Sequence, residues 1–73
     1  MTFGKRLNQI RKEKDVTAQT MANIIGIGLR SYRAYESGDR QPSFDILLKI
    51  ADYLDVSTDY LLCRDEFLAK HTD

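Results

Sequence analysis

Apolar residues recur along this chain with the period of a helix, not of a strand. Phe3, Leu7 and Ile10 share one helical face, and Phe44, Leu47, Leu48, Ala51 and Leu54 share another. No segment alternates strictly, and none is a run of β-branched residues. A recurring start signal divides the chain. In Val16-Thr17-Ala18-Gln19-Thr20-Met21 an apolar residue precedes a hydroxyl cap, and a second apolar residue follows five positions after the first. Val16 can then staple onto Met21 while Thr17 accepts a bond from an orphan backbone N–H. Val56-Ser57-Thr58-Asp59-Tyr60-Leu61 repeats the pattern, and so does Ile27-Gly28-Leu29-Arg30-Ser31-Tyr32, with glycine as the cap. Pro42-Ser43 marks a fourth start, with Asp45 just inside it. Gly26 and Gly38 supply stops, and Lys14-Asp15 and Leu54-Asp55 close the other two segments. The pattern predicts an all-α chain of five helices, near 2–14, 18–25, 29–37, 44–54 and 58–67. They form a single compact domain over 1–67, followed by a frayed tail over 68–73.

Composition narrows the classes. Seventy-three residues make one small domain with a thin core. The single cysteine, Cys63, excludes an intrachain disulfide and reads as a small packing residue. No Cys/His cluster offers a zinc site, and Asp52, Asp55 and Asp59 lack the spacing and glycine of a calcium loop. Gly26-x-Gly28 lacks a third glycine and a preceding strand, so no cofactor is expected. The only histidine, His71, falls in the tail, which leaves no nucleophile–base set and predicts a protein that is not an enzyme. No apolar run approaches a membrane span, and the N-terminus lacks the apolar block of a signal peptide. A cytoplasmic location is expected, with no membrane partner, no small-molecule ligand and no ligand domain following. The net charge of zero hides an asymmetry: +4 over 1–14, −1 over 15–27, +1 over 28–41 and −4 over 42–73. The basic half suits a polyanion, although an ordinary solvated surface would look the same.

The second and third segments are joined by Gly26-Ile27-Gly28 alone, which leaves room for a sharp turn and predicts a helix-turn-helix. Ala22 is small where two such helices would meet. Met21, Ile25, Ile27, Tyr32 and Tyr35 are spaced to fill the angle between them. Leu29, Arg30, Arg33 and Ala34 remain on the outer face of the third helix. Arg30 and Arg33 carry planar donor forks suited to guanine in a major groove, and Leu29 can offer an apolar contact to a thymine methyl. The same arginines could equally serve solubility.

Thr17 through Ile27, then Tyr32, Tyr35-Glu36 and Gly38, resemble the phage-repressor helix-turn-helix, the lambda-repressor-like or Cro family. Pro42-Ser43-Phe44 with Leu47 to Ala51 is similar to that family's fourth helix, and Leu54 to Leu62 to its fifth. The resemblance implies a five-helix domain that binds double-stranded DNA as a homodimer, with the third helix in the major groove. Carried over by position, it places Leu29, Arg30, Ser31, Arg33 and Ala34 at the bases or nearby phosphates. It places Thr17, Ser37, Arg40 and Ser43 at the sugar–phosphate backbone. It also implies that Arg11 pairs with Glu36 and ties the first helix to the end of the third; the alternative is two unpaired surface charges. The expected function is a transcription regulator, a repressor on a pseudo-palindromic operator. Helix five has apolar residues to spare, which suggests a dimer surface at Val56, Tyr60 and Leu62.

Three positions depart from the family pattern. Ala18 stands where a phosphate-binding glutamine is usual, and Gln19 points about 100° away on the helix. Gly28 replaces a hydroxyl cap. Tyr32 replaces a buried aliphatic, so its hydroxyl needs a partner. These departures keep a second reading open: a protein-binding module on the same scaffold, antitoxin-like or an anti-repressor partner, with weak or no DNA binding.

Overall fold

Every helix but the third begins where a short side chain takes over an unpaired backbone N–H. The structure is a computed structural model and describes residues 1–64. The helices are α1 (Phe3–Glu13), α2 (Ala18–Ile25), α3 (Leu29–Ser37), α4 (Phe44–Leu54) and α5 (Thr58–Leu61), with no strand among the described residues. Thr17 Oγ1 accepts the Thr20 N–H at 3.1 Å, Ser43 Oγ that of Ile46 at 3.3 Å, and Ser57 Oγ that of Tyr60 at 3.1 Å. Thr2 caps α1 in the same way, accepting from Lys5 at 3.3 Å. Gly28 opens α3 with no side-chain bond. The stapling residues Val16, Ile27 and Val56 pack against the core, and their partners Met21, Tyr32 and Leu61 are fully buried.

The helix ends share one device. Gly26 and Gly38 adopt left-handed backbone, and so do Asp15, Asp55 and Cys63, with φ of 57°, 56° and 62°. After each of these except Gly38, the next residue donates its N–H back to a carbonyl five positions earlier. Val16 bonds Arg11 at 3.1 Å, Ile27 bonds Ala22 at 3.0 Å, and Val56 bonds Ala51 at 3.1 Å. The same closure corrects the expected extent of the last helix. Leu62 caps α5 after four helical residues, Cys63 turns left-handed, and Arg64 N–H reaches the Asp59 carbonyl at 2.7 Å. A helix over 58–67 is therefore interrupted before residue 64; positions 65–67 and the tail lie outside the described residues.

The core gathers Leu7 and Ile10 from α1, Met21, Ala22 and Ile25 from α2, and Tyr32 and Tyr35 from α3. Ile50, Ala51 and Leu54 from α4 and Leu61 from α5 complete it. α3 rests on both α1 and α2, α4 on α2 and α5, and α5 on α1. Two residues expected on the inner face of α4 do not reach it: Phe44 is 74% exposed and Leu48 39%. The inner stripe runs through Leu47, Ile50, Ala51 and Leu54, and Leu48 sits about 110° from its middle. Phe44 is the first residue of the helix, where no later turn covers it.

Gly4 permits the contact between α1 and α3. A Cβ there would lie 2.8 Å from the Tyr35 carbonyl oxygen and closer still to that of Glu36. In an exposed helix Gly→Ala stabilises by about 1 kcal/mol, but overpacking against backbone costs about 1–3 kcal/mol. Gly4→Ala should therefore lower the thermal midpoint measured by circular dichroism; a raised midpoint would mean that the two helices lie further apart. Gly28 has φ of −72° and open space at its Cβ position. Gly28→Ser should raise the midpoint slightly, by a few tenths of a kcal/mol.

Candidate nucleic-acid interface

α2 and α3 meet at a turn of three residues. Gly26 takes φ of 84°, and its N–H and that of Ile27 both bond the Ala22 carbonyl, at 2.9 and 3.0 Å. Ala22 is fully buried, so its small side chain admits the close crossing. Tyr32 and Tyr35 anchor the inner face of α3. The opposite face carries Arg30 and Arg33 in solvent, with Leu29, Ser31 and Ala34 half-buried beside them.

The other residues expected to meet a nucleic acid lie at the starts of α2 and α4 and around the end of α3. Arg40 is exposed in the loop after α3. The Thr17 and Ser43 hydroxyl oxygens each accept a backbone N–H, which uses one lone pair. Ser43 keeps its O–H for an outside acceptor. Thr17 also bonds the Thr20 hydroxyl at 2.8 Å, and its hydrogen stays available when Thr20 is the donor. Ser37 differs: its O–H is engaged by the Ala34 carbonyl at 3.1 Å, and its oxygen receives Asp39 N–H at 3.4 Å.

With this geometry the sequence model of the helix-turn-helix family matches residues 7–61. The chain belongs to the lambda-repressor-like helix-turn-helix family. The regulator YqaE of Bacillus subtilis is 47% identical over 60 residues, covering 82% of this chain and 52% of that protein. The CTXphi transcriptional repressor RstR of Vibrio cholerae is 45% identical over 64 residues, 88% of this chain and 57% of its own. The chain thus spans about half the length of the curated relatives it matches. The P22 c2 repressor, solved in complex with a synthetic operator, superposes with a TM-score of 0.82 at 25% identity, covering 89% of this chain and 98% of that one. The restriction-modification controller protein C.AhdI of Aeromonas hydrophila gives 0.74 at 32% identity, over 81% and 89% of the two chains.

In this helix-turn-helix chain a buried carboxylate governs how α3 is held. Arg11 Nε lies 2.7 Å from Glu36 Oε2, and Arg11 Nη2 donates to Oε1 at 3.3 Å. Asn8 Nδ2 donates to the same Oε1 at 2.7 Å, and the Tyr32 hydroxyl donates to Oε2. The third Arg11 nitrogen, Nη1, reaches the Val16 carbonyl at 2.9 Å and secures the α1–α2 corner. Both charged side chains are nearly buried, at 13% and 12% exposure. Burial alone would push the Glu36 carboxyl up; the donors Arg11, Asn8 and Tyr32 overcome that and hold it below its ordinary value. The Arg11 guanidinium is raised, chiefly by its bond to Glu36. The Tyr32 hydroxyl is pushed far up, first by burial and then by the carboxylate it donates to.

Two contributors carried no signal of their own in the sequence. Asn8 precedes Arg11 by three positions and so shares its face of α1, which could have flagged it. Arg6, counted with the basic N-terminal segment, is 8% exposed. Its Nη1 donates to the Tyr60 carbonyl at 3.0 Å and its guanidinium sits 4.1 Å from the centre of the Tyr60 ring. Tyr60 is thus covered on one side, Val56 packs into the core, and Leu62 stays 41% exposed.

Because the folded Glu36 carboxyl titrates below its unfolded value, its stabilisation is complete above about pH 5 and is lost as pH falls through the folded value. Glu36→Gln should therefore lower the melting midpoint at pH 7, by the equivalent of roughly 1–3 kcal/mol. The gap to wild type should narrow as pH falls below the ordinary carboxylate value and through the lowered folded one. A gap that widens on acidification contradicts the assignment.

Proposed function

We propose that this chain binds double-stranded DNA in a sequence-dependent way and acts as a transcription regulator, a repressor working as a homodimer on a pseudo-palindromic operator. The observation that carries this reading is the exposed face of α3 centred on Arg30, backed by two buried tyrosines and braced by Glu36. A helix presented in this way can enter a major groove, and its free guanidinium can take guanine O6 and N7 together. Leu29, Ser31 and Ala34 flank Arg30 and would make the remaining base contacts. Thr17, Arg40 and Ser43 would touch phosphates, and Ser37 would do so by turning its hydroxyl from the Ala34 carbonyl. Two α3 helices would read half-sites about 34 Å apart. Tyr60 and Leu62 would contribute to the dimer surface, with Val56 supporting them from below. The reading places the domain over 1–67, in the cytoplasm, with no catalytic role. The operator-bound P22 c2 repressor and the repressor RstR support it by likeness.

The rival reading, a protein-binding module on the same scaffold, draws on Leu29 and Ala34, two apolar residues at the reading face, and on Gly28, a cap without a hydroxyl. Selection from a random pool of duplex DNA separates the two. The DNA reading expects an enriched sequence whose preference at one base pair relaxes by about 1–3 kcal/mol in Arg30→Ala. Arg40→Ala should weaken all sequences about equally. Absence of binding to any duplex at low salt contradicts the proposal and favours the rival.

A further inference from the structure

Arg33 does not share the place of Arg30 on α3. At 100° per residue, Arg30 lies opposite the midpoint of Tyr32 and Tyr35, on the outward midline of the helix. Arg33 is turned about 60° from that line, and Glu36 about 60° further the same way, to where it meets Arg11 of α1. Arg33 thus occupies the flank of α3 that faces α1. There it lines an open cleft with Lys12 and Asp15 from the end of α1 and Thr17 and Ala18 from the start of α2. Arg11 borders the same cleft, but its charge is matched by Glu36. Lys12 and Arg33 are both exposed, and against Asp15 they leave the cleft positive. Ala18 contributes only a methyl group to its wall, which leaves the cleft open above α2.

Dimensions decide what such a residue can meet. The major groove is about 12 Å wide, and a helix with its side chains is about 10–12 Å across. A helix filling the groove meets base edges with its N-terminal residues and along its midline; beyond the first turn its flanks face the sugar–phosphate strand. We propose that Arg33, together with Lys12, clamps a backbone phosphate of the bound duplex and does not read a base. This assignment rests on the DNA-binding reading above and refines it: Arg30 is left as the one arginine of α3 that carries sequence information.

The test uses the full chain and two probes, a duplex enriched by the wild-type protein from a random pool and a scrambled duplex of the same length. Arg33→Ala should weaken both by the same factor and enrich the same sequence as wild type. It should flatten the salt slope of log affinity by about 0.9 for each bound subunit, about 1.8 for the homodimer. Its penalty at 50 mM salt should then be about 12-fold larger than at 200 mM. Lys12→Ala should show the same signature. Arg33→Lys should retain most of the affinity, because a phosphate accepts a point charge whereas a bidentate guanine contact does not. Altered preference at a single base pair in Arg33→Ala, or loss in Arg33→Lys equal to that in Arg33→Ala, overturns the clamp. So does unchanged affinity and slope in Arg33→Ala. A wild-type protein that enriches no duplex instead overturns the DNA-binding reading, and the clamp falls with it.

Discussion

The position of α3 depends on one buried carboxylate. Glu36 sits at the far end of α3 from the turn, and its two oxygens receive hydrogen bonds from Asn8, Arg11 and Tyr32. Asn8 and Arg11 belong to α1 and Tyr32 to α3 itself, so a single group joins the two helices and closes on its own. Removing an ion from water is costly, and an ion pair in the interior repays that only when every donor and acceptor is used. Here no buried side-chain nitrogen or oxygen among the described residues lacks a partner. The close approach of α1 and α3 at Gly4 completes the joint. The acid, which would repel a phosphate if it were free, is neutralised and turned inward, and the outward face is left to Arg30.

The positive charge at the start of the chain looks different once the fold is known. Arg6 and Arg11 are spent on structure: one holds α5 through the Tyr60 carbonyl and ring, the other holds α3 through Glu36. Lys5, Lys12 and Lys14 remain exposed. The asymmetry between the basic and acidic halves is therefore a weaker guide to polyanion binding than the count implies. The placement of a few side chains on and beside α3 supports DNA binding more than the net charge does.

What was legible in the sequence was local. Thr17, Ser43 and Ser57 are short hydroxyl residues just ahead of apolar periodicity, and each caps the helix it predicts. Val16, Ile27 and Val56 sit five residues before buried partners, a spacing that only a staple explains. What was hidden depends on distant neighbours or on unusual backbone. Gly4 resembles any glycine until Tyr35 and Glu36 are seen beside it. Cys63 has no feature that advertises left-handed backbone, so the sequence pattern carries α5 past its end. Asp15 and Asp55 were recognised as stops, but not as taking the conformation usually left to glycine. Phe44 and Leu48 follow helical spacing yet stay outside, because periodicity names a stripe and not the helices that will cover it.

A double-mutant cycle over Arg11→Met and Glu36→Gln, read as unfolding free energy in urea at pH 7, isolates the contact on which this arrangement depends. Two partners sharing one closed network should be coupled by about 1–3 kcal/mol, each single change costing most of what both cost together. Effects that simply add would mean that the carboxylate does not join α1 to α3.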